Sequence, residues 1–135
     1  MRISSLTLAL SLLLGVASVL ANPSANVRAW QELSNQDINL IADAIYHAEG
    51  GERAKKPFGI LSVRCDGYKD CRGIAVNTIR SNFRRWSESR SHEDFLTYLA
   101  RVYAPETAVN DPTGLNRNWV KNVTYFVNHP KPIEV

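Results

Sequence analysis

Residues 34–63 read SNQDINLIADAIYHAEGGERAKKPFGILSV, and the organisation of the chain follows from them. Ser34 is a good N-cap, and Asp37 three positions later gives a weak version of the capping box. Ile38, Ile41, Ala42, Ile45 and Glu49 follow at spacings of three or four, which sets them along one helical stripe. That spacing predicts a helix over 35–48 whose apolar face turns inward, with Asn39, Asp43 and His47 leaning towards water. Gly50 and Gly51 stop the helix, with Gly50 as its left-handed C′ residue.

Glu49 is therefore expected on the inward stripe, at the negative end of the helix dipole. A charged carboxylate is disfavoured there, and partial burial raises its pKa further. A glutamate kept protonated near neutral pH is what a general acid requires. Position alone does not separate such a group from the many glutamates that end helices in water.

Upstream, Met1-Arg2 gives a short positive start, Leu6 to Leu20 is almost entirely apolar, and Val19-Leu20-Ala21 has the form of a cleavage site. Residues 1–21 are read as a secretory signal peptide, and 22–135 as the exported domain, periplasmic or extracellular. The apolar run is short for a bilayer span, so no membrane span is expected after cleavage. The remainder is the size of one domain with a single modest core. The whole chain carries a formal charge of +3, and Arg2 leaves with the signal peptide. A slightly basic exported protein suits an anionic partner such as a cell-wall polymer, and no nucleic-acid motif appears.

Cys65 and Cys71 enclose Asp66-Gly67-Tyr68-Lys69-Asp70. In an oxidising compartment two nearby cysteines usually pair, so a structural disulfide is expected. A loop this short limits its stabilisation to about 2 kcal/mol in the chain-entropy model. No Cys/His pairs at ligand spacing accompany the two cysteines, so no metal is expected.

Residues 22–33 read as a surface-packed leader anchored by Trp30 and Leu33, and Phe58–Val63 as a short strand or a buried irregular stretch. Ala75, Val76, Ile79, Phe83 and Trp86 mark a second helix over 72–87, with Arg80, Arg84 and Arg85 on its outer face. Ser91 and Asp94 repeat the capping pattern before Phe95, Leu96, Leu99, Val102 and Tyr103, a third helix that stops at Pro105. Residues 106–114 are turn chemistry, and a last helix starts near Asn116 and ends before Pro130. The fold class is mainly α, a small helical domain with room for one short β-hairpin.

Glu49-Gly50-Gly51 followed by Phe58-Gly59-Ile60-Leu61-Ser62-Val63 resembles the core of the lysozyme-like superfamily, above all the soluble lytic transglycosylases and phage-type muramidases. Arg101-Val102-Tyr103-Ala104-Pro105, Asn110-Asp111-Pro112 and Asn118-Trp119-Val120-Lys121-Asn122-Val123 resemble the family's C-terminal part. The resemblance spans roughly residues 34–127. It departs from the family at Gly50, where a serine is frequent, and at Ser62, where a glutamine is frequent.

The resemblance implies a peptidoglycan-cleaving glycosidase in which Glu49 protonates the bond between N-acetylmuramic acid and N-acetylglucosamine. Glu49 then serves as base while the muramic acid C6 hydroxyl attacks, giving a 1,6-anhydro product. Ser62, Tyr103 and Asn118 would contact glycan, with no cofactor and a monomeric protein. Ser62 and Tyr103 are equally compatible with ordinary core roles. A hydrolase normally needs a second carboxylate. Of Glu52, Asp66 and Asp111, Glu52 is too near in sequence to reach across a cleft easily, and Asp111 sits before Pro112 where capping is its natural job. The alternatives are a hydrolytic muramidase, a non-catalytic exported module that binds glycan or protein, and a small disulfide-stapled effector or inhibitor. His47 and His92 are read as solvated and His129 as a tail residue.

Overall fold

The computed structural model describes residues 33–134. The signal segment and Trp30 lie outside the described residues. Four helices follow in order, α1 Asn35–Ala48, α2 Gly67–Glu88, α3 Phe95–Tyr103 and α4 Trp119–Asn128. Three short 3-10 turns, Gly51–Arg53, Pro57–Gly59 and Leu115–Asn118, complete the elements. The domain is mainly α. No strand or hairpin occurs among the described residues, and no described helix is long and apolar enough to cross a membrane.

α1 is the central element, packed against α2, α4 and the Pro57–Gly59 turn. Its start is the capping box: the Ser34 hydroxyl accepts from the Asp37 N–H at 3.2 Å, and the Asp37 carboxylate accepts from the Ser34 N–H at 3.1 Å. Ile38, Ile41, Ala42 and Ile45 are all buried, as their spacing predicts. They meet Ala75 and Ile79 of α2, Phe95 and Leu99 of α3, and Val123 of α4 in one core. Leu33 packs on the same cluster.

Two residues of the expected polar face of α1 do not lean freely into water. Asp43 accepts from Arg72 of α2 at 2.9 Å, pinning the two helices together. His47 is half-buried, with its ring 5.4 Å from that of Phe126 and Nε2–H donating to the Lys131 carbonyl at 3.3 Å. The C-terminal segment passes over that face of α1, which helical periodicity has no means of revealing. His92 and His129 are exposed as expected.

α2 begins five residues before its predicted start. Asp66 is its N-cap, and the Asp70 carboxylate accepts from the Asp66 N–H at 2.9 Å, closing the first turn. Cys71 is thereby buried inside the helix, and it is bonded to Cys65 with Cα atoms 5.0 Å apart. Arg80, Arg84 and Arg85 are exposed. Asp94, not Ser91, caps α3, accepting from the Thr97 N–H at 3.0 Å. The predicted last helix is divided, with a 3-10 turn to Asn118 and regular α-helix only from Trp119.

Candidate active site

Glu49 is the C-cap of α1, its N–H donating to the Ile45 carbonyl at 2.9 Å. Gly50 then takes φ +106°, a left-handed conformation that ends the helix. The Glu49 side chain turns inward and is half-buried. Its Oε1 accepts from the indole Nε1–H of Trp119, the first residue of α4, at 2.9 Å. Burial pushes the Glu49 carboxyl above its ordinary pKa, and the indole hydrogen bond offsets part of that rise. The sign agrees with the helix-end argument, although desolvation is the main cause.

The opposite wall is the Pro57–Gly59 turn. Phe58 is fully buried with φ +60°, and Gly59 follows with φ +65°. A non-glycine residue in the left-handed region carries strain that its surroundings must hold. Here the Tyr103 hydroxyl donates to the Phe58 carbonyl at 2.8 Å, and the Phe58 ring packs against Tyr46 and Tyr68 at 5.2 and 5.5 Å. The result brings the bare α-carbon of Gly59 against the carboxyl group. A Cβ added at Gly59 would lie 2.5 Å from Glu49 Oε2 and 2.6 Å from Cδ.

Tyr103 and Trp119 close the third side, with ring centroids 5.5 Å apart and planes 30° from parallel. Burial, and then the nearby Glu49 charge, push the Tyr103 phenol far above its ordinary range. Tyr103 thus stays a neutral donor at any physiological pH. Glu49, Gly59, Tyr103 and Trp119 form one constellation, drawn from three helices and the turn.

No protein-family model, curated protein or solved structure matches this chain. The chemistry of the site has to be argued from its own residues.

Of the residues expected here, Glu49 and Tyr103 are brought together. Ser62 lies in the exposed stretch 61–64 and Asn118 is exposed immediately before Trp119, and neither side chain bonds to Glu49. Leu61 and Val63 are 61% and 48% exposed, so the stretch after Ile60 is surface rather than buried strand. Glu52 and Asp66 are exposed as well. Asp111 is occupied in its own loop, its two oxygens accepting from the N–H groups of Leu115 at 2.9 Å and Asn116 at 2.8 Å. The hydrogen bond from the Asn116 backbone N–H holds that carboxyl below the usual carboxylate range; desolvation opposes it, and Leu115 and Thr113 add smaller lowering contributions.

Trp119 and Gly59 complete the site, although the sequence marks them only as members of the resembling segments, with no role of their own. Trp119 reads simply as the first apolar residue of the last helix, and its pairing with Glu49 spans 70 positions. A tryptophan at the head of a helix is nonetheless a signal, because a buried indole N–H usually finds an acceptor. Surface grooves also occur along the outer face of α2, lined by Tyr68, Lys69 and Arg72, and beneath the C-terminal tail at Tyr46, His47 and Ile133. Glu49 lines neither.

Proposed function

We propose that the protein is an exported peptidoglycan-cleaving glycosidase, a lytic transglycosylase that uses Glu49 as its one catalytic carboxyl. The observation that carries this is the state of Glu49: a half-buried carboxyl at a helix end, raised in pKa and held by a single neutral donor. A carboxyl so placed retains its proton closer to neutrality than a solvated one, as a general acid must.

The reaction would begin with proton transfer from Glu49 to the glycosidic oxygen as the C1–O bond of N-acetylmuramic acid breaks. The C6 hydroxyl of the same sugar then closes on C1, and its proton returns to Glu49. The nucleophile comes from the substrate, so no second carboxylate is required. The engagement of Asp111 by backbone N–H groups supports this over a two-carboxylate hydrolysis. The exposed Leu61-Ser62-Val63 stretch, two residues beyond Gly59, would offer the glycan an apolar surface and a hydroxyl.

The test is solubilisation of purified peptidoglycan sacculi by the exported domain and by Glu49→Gln. The wild type should release soluble fragments and the variant at most a trace. Equal release by both would remove Glu49 from the chemistry. Binding to sacculi without release by either would favour a glycan-binding module.

A further inference from the structure

We infer that Trp119 is the positioning residue of the site: its indole N–H reserves Oε1 of Glu49 as an acceptor, so that the acidic proton resides on Oε2, beside the bare α-carbon of Gly59. This rests on Glu49 acting as the general acid, and it adds which oxygen acts and what selects it.

An indole N–H can only donate. Whichever way Glu49 titrates, the oxygen facing Trp119 at 2.9 Å must present a lone pair. In a neutral carboxyl the carbonyl oxygen is the stronger acceptor, so it faces the indole and the proton sits on the other oxygen. Trp119 has little freedom to release Oε1, because it is 5% exposed and its ring lies against that of Tyr103. Its helix, α4, is packed along α1, the helix that carries Glu49.

The second oxygen is equally constrained. A Cβ at Gly59 would sit 2.5 Å from Oε2, so the space beside that oxygen exists only while residue 59 has no side chain. Phe58 and Gly59 are both left-handed, and the Tyr103 hydroxyl holds the intervening carbonyl at 2.8 Å. Tyr103 thus fixes the wall on the Oε2 side while its ring supports the donor on the Oε1 side. When the proton leaves Oε2 for the glycosidic oxygen, the new carboxylate keeps the Trp119 bond, which becomes charge-assisted and stronger. The donor therefore favours the product of the proton transfer more than its reactant, the condition for accelerating the step.

The surroundings contain few competing charges. From α3 the titratable group is Tyr103, held neutral. The Pro57–Gly59 turn and α4 present Phe58, Gly59 and Trp119, none of which titrates. On α1 itself His47 packs away from the site against Phe126.

The decisive experiment follows the indole 15N–1H signal of Trp119 through a pH titration of the folded protein, alongside cleavage of peptidoglycan by the wild type and Trp119→Phe. The Trp119 signal should titrate with Glu49 and become flat in Glu49→Gln. Trp119→Phe should lose about tenfold or more in kcat, the scale of one hydrogen bond to a charged group, with KM changed little. Its basic pH limb should move to higher pH, because the donor that favours the carboxylate is gone. An indole signal indifferent to Glu49, or an unshifted limb in Trp119→Phe, overturns the inference. A wild type that releases no fragments overturns the cleavage reading and the proton's destination with it. The indole titration then still decides whether Trp119 governs the ionisation of Glu49.

Discussion

The indole Nε1–H of Trp119 donates to Oε1 of Glu49 at 2.9 Å, joining the end of the first helix to the beginning of the last across 70 positions. One contact thereby couples how α1 stops, how α4 starts and how a half-buried carboxyl titrates. Its consequences are specific enough to be measured residue by residue.

Gly59→Ala places a methyl group 2.5 Å from Oε2 on a backbone with φ +65°. Either the carboxyl swings off Trp119 or the turn moves. Activity on peptidoglycan should fall about 100-fold or more, as expected when a catalytic group is misplaced by about 1 Å. Stability should fall by about 1 kcal/mol from the backbone conformation alone. Assays on sacculi and urea denaturation check the two effects separately.

Glu49→Gln should make the protein more stable at neutral pH. The folded state holds the Glu49 proton more tightly than the unfolded chain does, because burial raises its pKa. Ionised Glu49 therefore costs stability at any pH above its folded pKa. That cost fades as pH falls through the folded value and is gone below the unfolded one. The glutamine oxygen still accepts from Trp119 but carries no charge. A gain of about 1 kcal/mol at pH 7, the scale for desolvating a partly buried polar group, should vanish near pH 3. Thermal unfolding of both proteins across that pH range is the check.

Tyr103→Phe keeps the ring on Trp119 but removes the donor to the Phe58 carbonyl. The cost should be about 1 kcal/mol, the usual net value of one hydrogen bond. Because the left-handed Phe58-Gly59 pair then loses a restraint, kcat should fall while the basic pH limb set by Glu49 stays nearly in place. Trp119→Phe should move that limb, so pH–rate profiles of the two variants distinguish a residue that fixes the wall from one that fixes the acid.

Asp111→Asn tests the loop before α4. The wild-type carboxylate accepts from backbone N–H groups and has a depressed pKa. Its contribution is complete above the unfolded aspartate pKa and is lost as pH falls through the folded value. The variant should be less stable than the wild type at pH 7 and should close that gap at the acidic end. Activity should drop only modestly, since the loop positions Trp119 indirectly. Calorimetry at pH 7 and at pH 2 to 3 tests the sign.

Much of the first helix was legible in the chain because its determinants are local. A capping box, a three-to-four spacing and a left-handed glycine act within a few residues of one another, and together they set Glu49 inward. Three features were not legible, because each depends on a partner far away in the chain. Phe58 to Val63 has the composition of a strand, yet Phe58 is left-handed, in a turn whose carbonyl accepts from Tyr103, 45 positions away. The apolar pattern of α4 marks Trp119 as core but says nothing of its N–H, whose acceptor belongs to another helix. His47 looked solvent-facing for a similar reason, since the tail that covers it lies 84 positions downstream. Local chemistry specifies where helices begin and end, whereas partners across the core depend on how the helices meet.

The most direct measurement is mass spectrometry of the muropeptides released from purified peptidoglycan by the wild type and by Glu49→Gln. One glutamate acting with the substrate's own C6 hydroxyl predicts 1,6-anhydro-muropeptides from the wild type and none above background from the variant. Products ending in reducing N-acetylmuramic acid, or anhydro products undiminished in Glu49→Gln, would contradict it.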